Sequence, residues 1–146
     1  MIAIFSVKII GKAKSSVKKP KFGGWTHKVS KIVVEKKYAQ ALDGIEGYSH
    51  AIVLFWMDLV KKVTLKRHPQ GVGPLVGIFA CRCPGRPNPI GITTVKILRR
   101  KGNVLTIRGL DVIDNTPIID IKPYTPQYDC VSEKVKIPAW VKKLRY

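Results

Sequence analysis

YSHAIVLFWMDL, residues 48–59, is the most apolar run of the chain, and its reading decides the fold. Ile52, Val53, Phe55 and Trp56 are β-branched or aromatic, types that lose side-chain freedom in a helix but pack well on a pleated surface. A central strand is expected here, with Gly44 and Gly47 punctuating the chain before it and a basic, turn-rich loop at 65–73 after it. Towards the N-terminus, 36–42 predicts a short helical turn and 29–35 a strand. Residues 11–24 predict a polar, lysine-rich loop, and Ile2, Ile4 and 7–10 a first strand. Towards the C-terminus, 76–83 and 92–98 predict strands joined by PGRPNPIG at 84–91; a turn at 100–103 then leads to strands at 104–107 and 118–121. Many short strands and little helix indicate an all-β barrel or sandwich.

A chain of 146 residues has material for one core, so a single domain over 1–146 is expected. The charge is more informative: 27 Lys and Arg stand against 9 Asp and Glu, a formal +18. Surface ion-pair networks need comparable numbers of acids, and the glutamates are only Glu35, Glu46 and Glu133. Unpaired positive charge gains free energy by releasing counterions from phosphates, which points to nucleic acid. The basic residues fall in scattered clusters, at 18–21, 61–67, 99–101 and 134–145, a distribution that suits a curved RNA. No segment approaches the roughly 20 apolar residues of a spanning helix. The apolar start lacks the basic lead and small-residue cleavage site of a signal peptide. A cytoplasmic protein without membrane contact is expected.

Three cysteines give no disulfide framework, and the Cys81-x-Cys83 pair has only distant Cys130 and three histidines to complete a metal site, so no metal is expected. GVGPLVG at 71–77 superficially resembles a dinucleotide loop, but its last glycine is one position late and Pro74 intrudes. His50, at the head of the apolar run, is read as a strand cap. The segment 82–91 concentrates stiffness, since each proline fixes φ and removes a donor; a rigid loop holds a ligand at little ordering cost. Its Arg82 and Arg86 offer guanidinium groups to carboxylate or phosphate, and Asn88 an amide that both donates and accepts. Asp111, Asp114, Asp120 and Asp129 gather four of the nine acids in a chain that otherwise repels cations. They serve either local pairing or a chemical role: holding a ribose, binding an ammonium group, or taking a proton from a nitrogen.

The sequence FACRCPGRPNPIG at 79–91 resembles the F-A-T-R-S-x-x-R-P-N-P-I-G signature of the TrmO (TsaA-like) transfer-RNA methyltransferases. LDGIEGYSH at 42–50 is similar to the family's L-x-G-L-E-G-F-S-H, and DNTPIIDIKPY at 114–124 to D-G-T-P-V-L-D-I-K-P-Y. The resemblance implies a mainly β, single-sheet antiparallel β-barrel, a homodimer with S-adenosylmethionine near its interface, and the anticodon loop of tRNA as partner. The implied reaction is methylation of the N6 nitrogen of N6-threonylcarbamoyladenosine next to the anticodon.

Carried over position by position, the resemblance places Phe79, Arg82, Asn88 and Ile92 around the cofactor, with Asn115, Thr116, Pro117 and Ile118 on an opposing loop and Met57 and Asp58 closing it. Arg86 is assigned to phosphate or to the cofactor carboxylate. Asp120, Lys122 and Tyr124 are the candidates for ordering the substrate amine and its threonyl carboxylate. The chain departs from the pattern at four places. Cys81 and Cys83 replace threonine and serine, Asn115 replaces glycine, and Lys18-Lys19-Pro20 stands where an arginine-glutamine pair is common. The fourth is an end at Tyr146, without the additional C-terminal domain of many bacterial members. The competing expectation is a non-catalytic basic barrel that binds RNA and uses the proline segment only as a brace.

Overall fold

The apolar run folds as a strand with a strand on each side of it. The computed structural model describes residues 3–146. Its strands are β1 (Gly11–Lys14), β2 (Val29–Val34), β3 (His50–Trp56), β4 (Lys66–Arg67), β5 (Val76–Gly77), β6 (Ile90–Lys101), β7 (Val104–Arg108) and β8 (Pro117–Pro123). Six of them close an antiparallel barrel in the order β1-β2-β7-β6-β3-β8, and β4 and β5 form a separate ribbon. Closure removes the unpaired edges that an open sheet would present. Among the described residues the α-helix is limited to the turn α1 (Pro126–Asp129); the turn expected at 36–42 is a 3-10 helix over Lys36–Leu42.

Alternation fills the barrel. Ala51, Val53 and Phe55 of β3 point inward with Ile32, Val34, Val95, Leu105, Ile107 and Ile118, all at 5% exposure or less. Each large aliphatic side chain so buried contributes roughly 1.5–3 kcal/mol, and this core holds the strands in register. β6 pairs with β3 over its first half and with β7 over its second, with a register shift between Ile97 and Arg99. Gly91 crosses directly over Phe55: a Cβ there would lie 2.1 Å from the ring.

A second irregularity positions the chemistry. In the β3–β8 ladder Phe55 faces Ile118 and Leu54 faces Asp120, so Ile119 is an extra residue. Strict alternation would put Ile118 and Asp120 on one face. The bulge instead keeps Ile118 and Ile121 inward and turns Asp120 to the outer surface.

Two sequence expectations are corrected. The first strand begins at Gly11, inside the segment expected to be a loop, and not at 2–10. Ile4 and Phe5 are 94% and 87% exposed, and Met1 and Ile2 lie outside the described residues. Among the described residues of the apolar start, Ile10 alone reaches the ladder, donating to Ile118 O (2.8 Å) and accepting from Glu35 N (2.8 Å). The strands approach too closely there for a large side chain: a Cβ on Gly11 would lie 2.4 Å from Val33 O. Small residues therefore occupy a position that hydrophobicity assigns to larger ones. The strand expected at 76–83 shrinks to Val76–Gly77, followed by a 3-10 turn over Ile78–Ala80. The carbonyls beyond Gly77 turn towards an arginine side chain and find no neighbouring strand.

Candidate functional site

The proline segment, termed the proline hairpin, is a loop of bends between β5 and β6, which do not pair with each other, and it is braced from inside by two arginines. Arg86 Nη1 donates to Cys81 O (2.7 Å) and Ile78 O (3.0 Å), with a longer contact to Cys83 O (3.4 Å). A single nitrogen thus gathers three carbonyls at the base of the segment. Arg82 Nη2 donates to Ile92 O (2.6 Å), on the part of β6 that runs beyond the β7 ladder. Phe79 is left 79% exposed, with the Arg86 guanidinium 5.8 Å from its ring centre. Cys81 is buried, and burial, reinforced by Cys81, pushes the Cys83 thiol up to about 11. Cys83 is thus a neutral thiol at physiological pH.

The hairpin is tied to the end of β3. Met57 N donates to Pro89 O (2.8 Å), and Asp58 N turns back to Trp56 O (3.0 Å). Leu54, three residues earlier, has Ile92 as its β6 partner and Asp120 as its β8 partner. Strand spacing sets the Ile92 and Asp120 backbones roughly 10 Å apart across Leu54. Phe79, Arg82, Arg86, Asn88, Ile92, Met57 and Asp58 thus gather at one end of β3, and Asp120 stands beside them.

Asp120, Lys122 and Tyr124 follow every second position along the outer face of β8. Asp120 Oδ1 accepts from Ile121 N (2.9 Å) and Oδ2 pairs with Lys122 Nζ (2.8 Å), which raises the lysine's pKa. Tyr124 N donates to His50 O (3.1 Å), and its ring meets the His50 ring edge-on at 6.4 Å. The His50 ring Nδ1 lies 2.8 Å from the neighbouring Ser49 Oγ, a contact between side chains and not the backbone cap expected of it. Four residues of extended chain put Tyr124 roughly 13 Å from Asp120, so within this chain it is not brought to the hairpin.

The turn before β8 is rigid. Asn115 has φ 65°, a left-handed conformation asparagine tolerates better than most residues, and its Oδ1 accepts from Lys14 Nζ (2.6 Å). The Asp114 carboxyl accepts from Lys18 Nζ (2.6 Å) and Ser15 N (3.0 Å), and the lysine above all holds it below the usual carboxylate range. Thr116 is buried, its hydroxyl donating to Ile113 O (2.8 Å), while Pro117 and Ile118 pair with Lys12 and Gly11 of β1. Ile118 is a core residue and also faces Phe55, so the turn reaches the hairpin through β3.

One pair was not singled out from sequence. Thr93 Oγ1 donates to Asp111 Oδ1, and the Asp111 carboxyl is pushed above its ordinary value by desolvation, against the pull of the Thr93 hydroxyl and of Arg82. Thr93 adjoins Ile92, so a second carboxylate stands close to the hairpin. Asp111 is visible in the sequence only as one of four clustered acids, because its partner is 18 residues away.

Five ion pairs occur among the described residues, and they engage Lys18, Lys37, Arg100 and Lys122. Among the described residues, no three His, Cys, Asp or Glu converge as a metal site, and no helix is long and apolar enough to cross a membrane.

Comparison with known proteins places this architecture. The family model of the tRNA-methyltransferase O N-terminal domain matches residues 9–130. An S-adenosyl-L-methionine-binding protein of Archaeoglobus fulgidus is 42% identical over 131 residues, covering 87% of this chain and 94% of the relative. A mouse tRNA (adenine(37)-N6)-methyltransferase is 38% identical over 92 residues, 61% of this chain and 21% of the relative. The crystal structure of TrmO from Pseudomonas aeruginosa superimposes with a TM-score of 0.78 at 27% identity, covering 96% of this chain. The chain spans 63% of that bacterial protein's length. With the mainly β closed barrel, the proline hairpin and the match over most of its length, the chain belongs to the tRNA-methyltransferase O family.

Proposed function

We propose that the protein is an S-adenosylmethionine-dependent tRNA methyltransferase that methylates N6 of N6-threonylcarbamoyladenosine beside the anticodon. The observation that carries this reading is the pairing of Leu54 with Ile92 on one side and Asp120 on the other, which sets a carboxylate beside the proline hairpin. The printed names of the archaeal and mouse relatives support it, one for the cofactor and the other for adenine N6.

The residues present fit the cofactor chemically. Phe79 offers an exposed ring for a nucleobase, the hairpin arginines offer positive charge to a carboxylate, and Asp111 and Asp120 offer negative charge to an ammonium or a ribose. When bound, S-adenosylmethionine supplies an activated methyl group, so the protein's main task is alignment. Phe79, Arg82, Asn88 and Ile92 bind on the hairpin side and Asn115 and Pro117 on the other, set in place by Thr116 and Ile118, whose side chains are buried and do not reach a ligand, with Met57 and Asp58 closing the end; Arg86 holds the hairpin in shape. Asp120 accepts the proton of the substrate N6, whose acidity the carbamoyl group increases, and Lys122 keeps the carboxylate oriented. Tyr124 stands along the same face for the threonyl portion. No metal is required for such a step.

We also propose a homodimer closed on the outer face of β6, β3 and β8. Ile90, Ile92 and Leu98 are exposed there beside partly covered Leu54 and Trp56, an apolar surface in a strongly basic protein. A second copy on this face would enclose the Asp120 side of the site and bring a Tyr124 towards it. A cytoplasmic location goes with a tRNA substrate. The basic-barrel alternative is tested by calorimetric titration of the purified protein with S-adenosylmethionine: saturable one-to-one binding per chain supports the enzyme, and no heat up to millimolar cofactor would leave only an RNA-binding barrel.

A further inference from the structure

The family match ends at residue 130, yet the chain continues with 16 residues that are neither neutral nor loose. Residues 131–146 carry Lys134, Lys136, Lys142, Lys143 and Arg145 against one acid, Glu133. None of the five is in an ion pair among the described residues. A surface that only solvated its charges would not need to be fastened, but the second half of this one, from Trp140 to Tyr146, is. Gly24 N donates to Tyr146 O (2.9 Å). The Gln70 amide makes a reciprocal pair with the backbone of Arg145, Nε2 to O and N to Oε1, both 2.9 Å. Gln70 holds this pose at φ 48°, a strained conformation for a residue with a side chain. Trp140 packs so closely on Gly73 that a Cβ there would lie 3.1 Å from its ring.

The fastening has a direction. The loops that hold the segment carry Lys21, with its ammonium 4.6 Å from the Trp25 ring, and the β4 residues Lys66 and Arg67. Arg67 in turn leans on the proline hairpin, its Nη1 3.8 Å from where a Gly85 Cβ would stand. Lys134, Lys136 and Lys142 line one open recess with Val135 and Ile137. Unpaired cations, exposed Tyr146 and a lysine-bearing tryptophan therefore run as one band from the C-terminal segment towards the hairpin. Cations for phosphates with aromatic rings for bases are the combination that tracks a nucleic-acid strand.

We propose that residues 131–146 are a docked strap that grips the sugar–phosphate backbone of the RNA away from the methylated nucleotide, with Gln70 as its clasp. The inference rests on RNA being the substrate, and it adds a surface outside the matched domain. Preordering the strap lowers the entropy cost of binding, so the clasp matters as well as the charge.

The test compares three full-length variants for binding to unfractionated tRNA, without cofactor, from low to moderate salt. K134Q/K136Q/K142Q/K143Q is expected to bind at least tenfold more weakly, with a salt slope flatter by about 3, from roughly 0.7–0.9 for each of about four phosphate contacts. K28Q/K31Q/K36Q/K101Q removes the same charge from exposed lysines outside the strap and is expected to lose less than threefold. Gln70→Ala keeps every charge and is expected to bind several-fold more weakly with little change in slope. Equal losses in the two quadruple variants, or no loss in the first at an unchanged melting temperature, would overturn the strap. Stronger wild-type binding to anionic phosphatidylserine vesicles than to tRNA would overturn it in favour of a membrane. Because these readouts need no cofactor, they are independent of methyl transfer. If the first variant methylates with unchanged KM and kcat, the strap fails and the enzyme stands.

Discussion

Ile92 and Asp120 are the two cross-strand neighbours of Leu54, one on β6 and the other on β8. Asp120 reaches that outer row only because the bulge at Ile119 interrupts the alternation that keeps Ile118 and Ile121 in the core. A single inserted residue thus converts a position that would face the barrel interior into one on the outer surface beside the proline hairpin.

If Asp120 takes the N6 proton, Asp120→Asn lowers turnover by about 10²–10⁴-fold and leaves cofactor affinity within about twofold. Single-turnover methylation alongside calorimetry checks both. Unchanged turnover removes Asp120 from the mechanism.

Arg86→Met tests whether the hairpin's shape comes from the guanidinium. Methionine has no N–H to give Ile78 O, Cys81 O and Cys83 O, and a stability loss of about 1–3 kcal/mol is expected from unsatisfied carbonyls. Denaturant unfolding measures it. A stability within 0.3 kcal/mol of wild type, about the error of such a measurement, would show that the hairpin holds itself.

Gly91→Ala places a methyl 2.1 Å from the Phe55 ring, in the stretch where β6 leaves the hairpin. Overpacking of this kind costs about 1–3 kcal/mol. The melting temperature should drop, and Phe55→Leu should restore part of the loss in the double variant.

Two aspartates should show opposite pH dependence. The Asp111 carboxyl titrates above its ordinary value in the folded chain through desolvation, so its charged form opposes folding. That opposition is complete above the raised value and absent below the ordinary unfolded value near 4. Asp111→Asn should therefore raise the melting temperature at pH 7 and lose that advantage by about pH 3. Asp114 titrates low because Lys18 bonds its carboxylate, so its contribution is present at pH 7 and disappears as the pH falls through that lowered value. Asp114→Asn should lower the melting temperature at pH 7 and have no effect at the acid end. Parallel pH profiles for the two variants would contradict this.

The strands at 29–34, 50–56, 90–101, 104–108 and 117–123 were largely legible because alternation and β-branched residues mark strands whose inner face is buried. β1 was not, because Gly11 and Ala13 are chosen for closeness, and a hydrophobicity pattern rates Ile4 and Phe5 above them. At 76–83 the apolar residues imitate a strand, but the Arg86 side chain takes the carbonyls a neighbour would need. The proline segment stood out from residue types alone, whereas the DNTP loop was marked only by the resemblance to the family. The Ile119 bulge could not be read, since IIDI alternates equally well in either register, nor could the Thr93–Asp111 pair, which folding brings together from 18 residues apart.

Incubating the purified protein with methyl-labelled S-adenosylmethionine and tRNA, and then analysing the digested nucleosides by mass, tests the central claim most directly. The label is expected in N6-methyl-N6-threonylcarbamoyladenosine, and its incorporation should be lost with Asp120→Asn. Label in a different nucleoside, or none at all from tRNA that carries the threonylcarbamoyl group, would contradict the account.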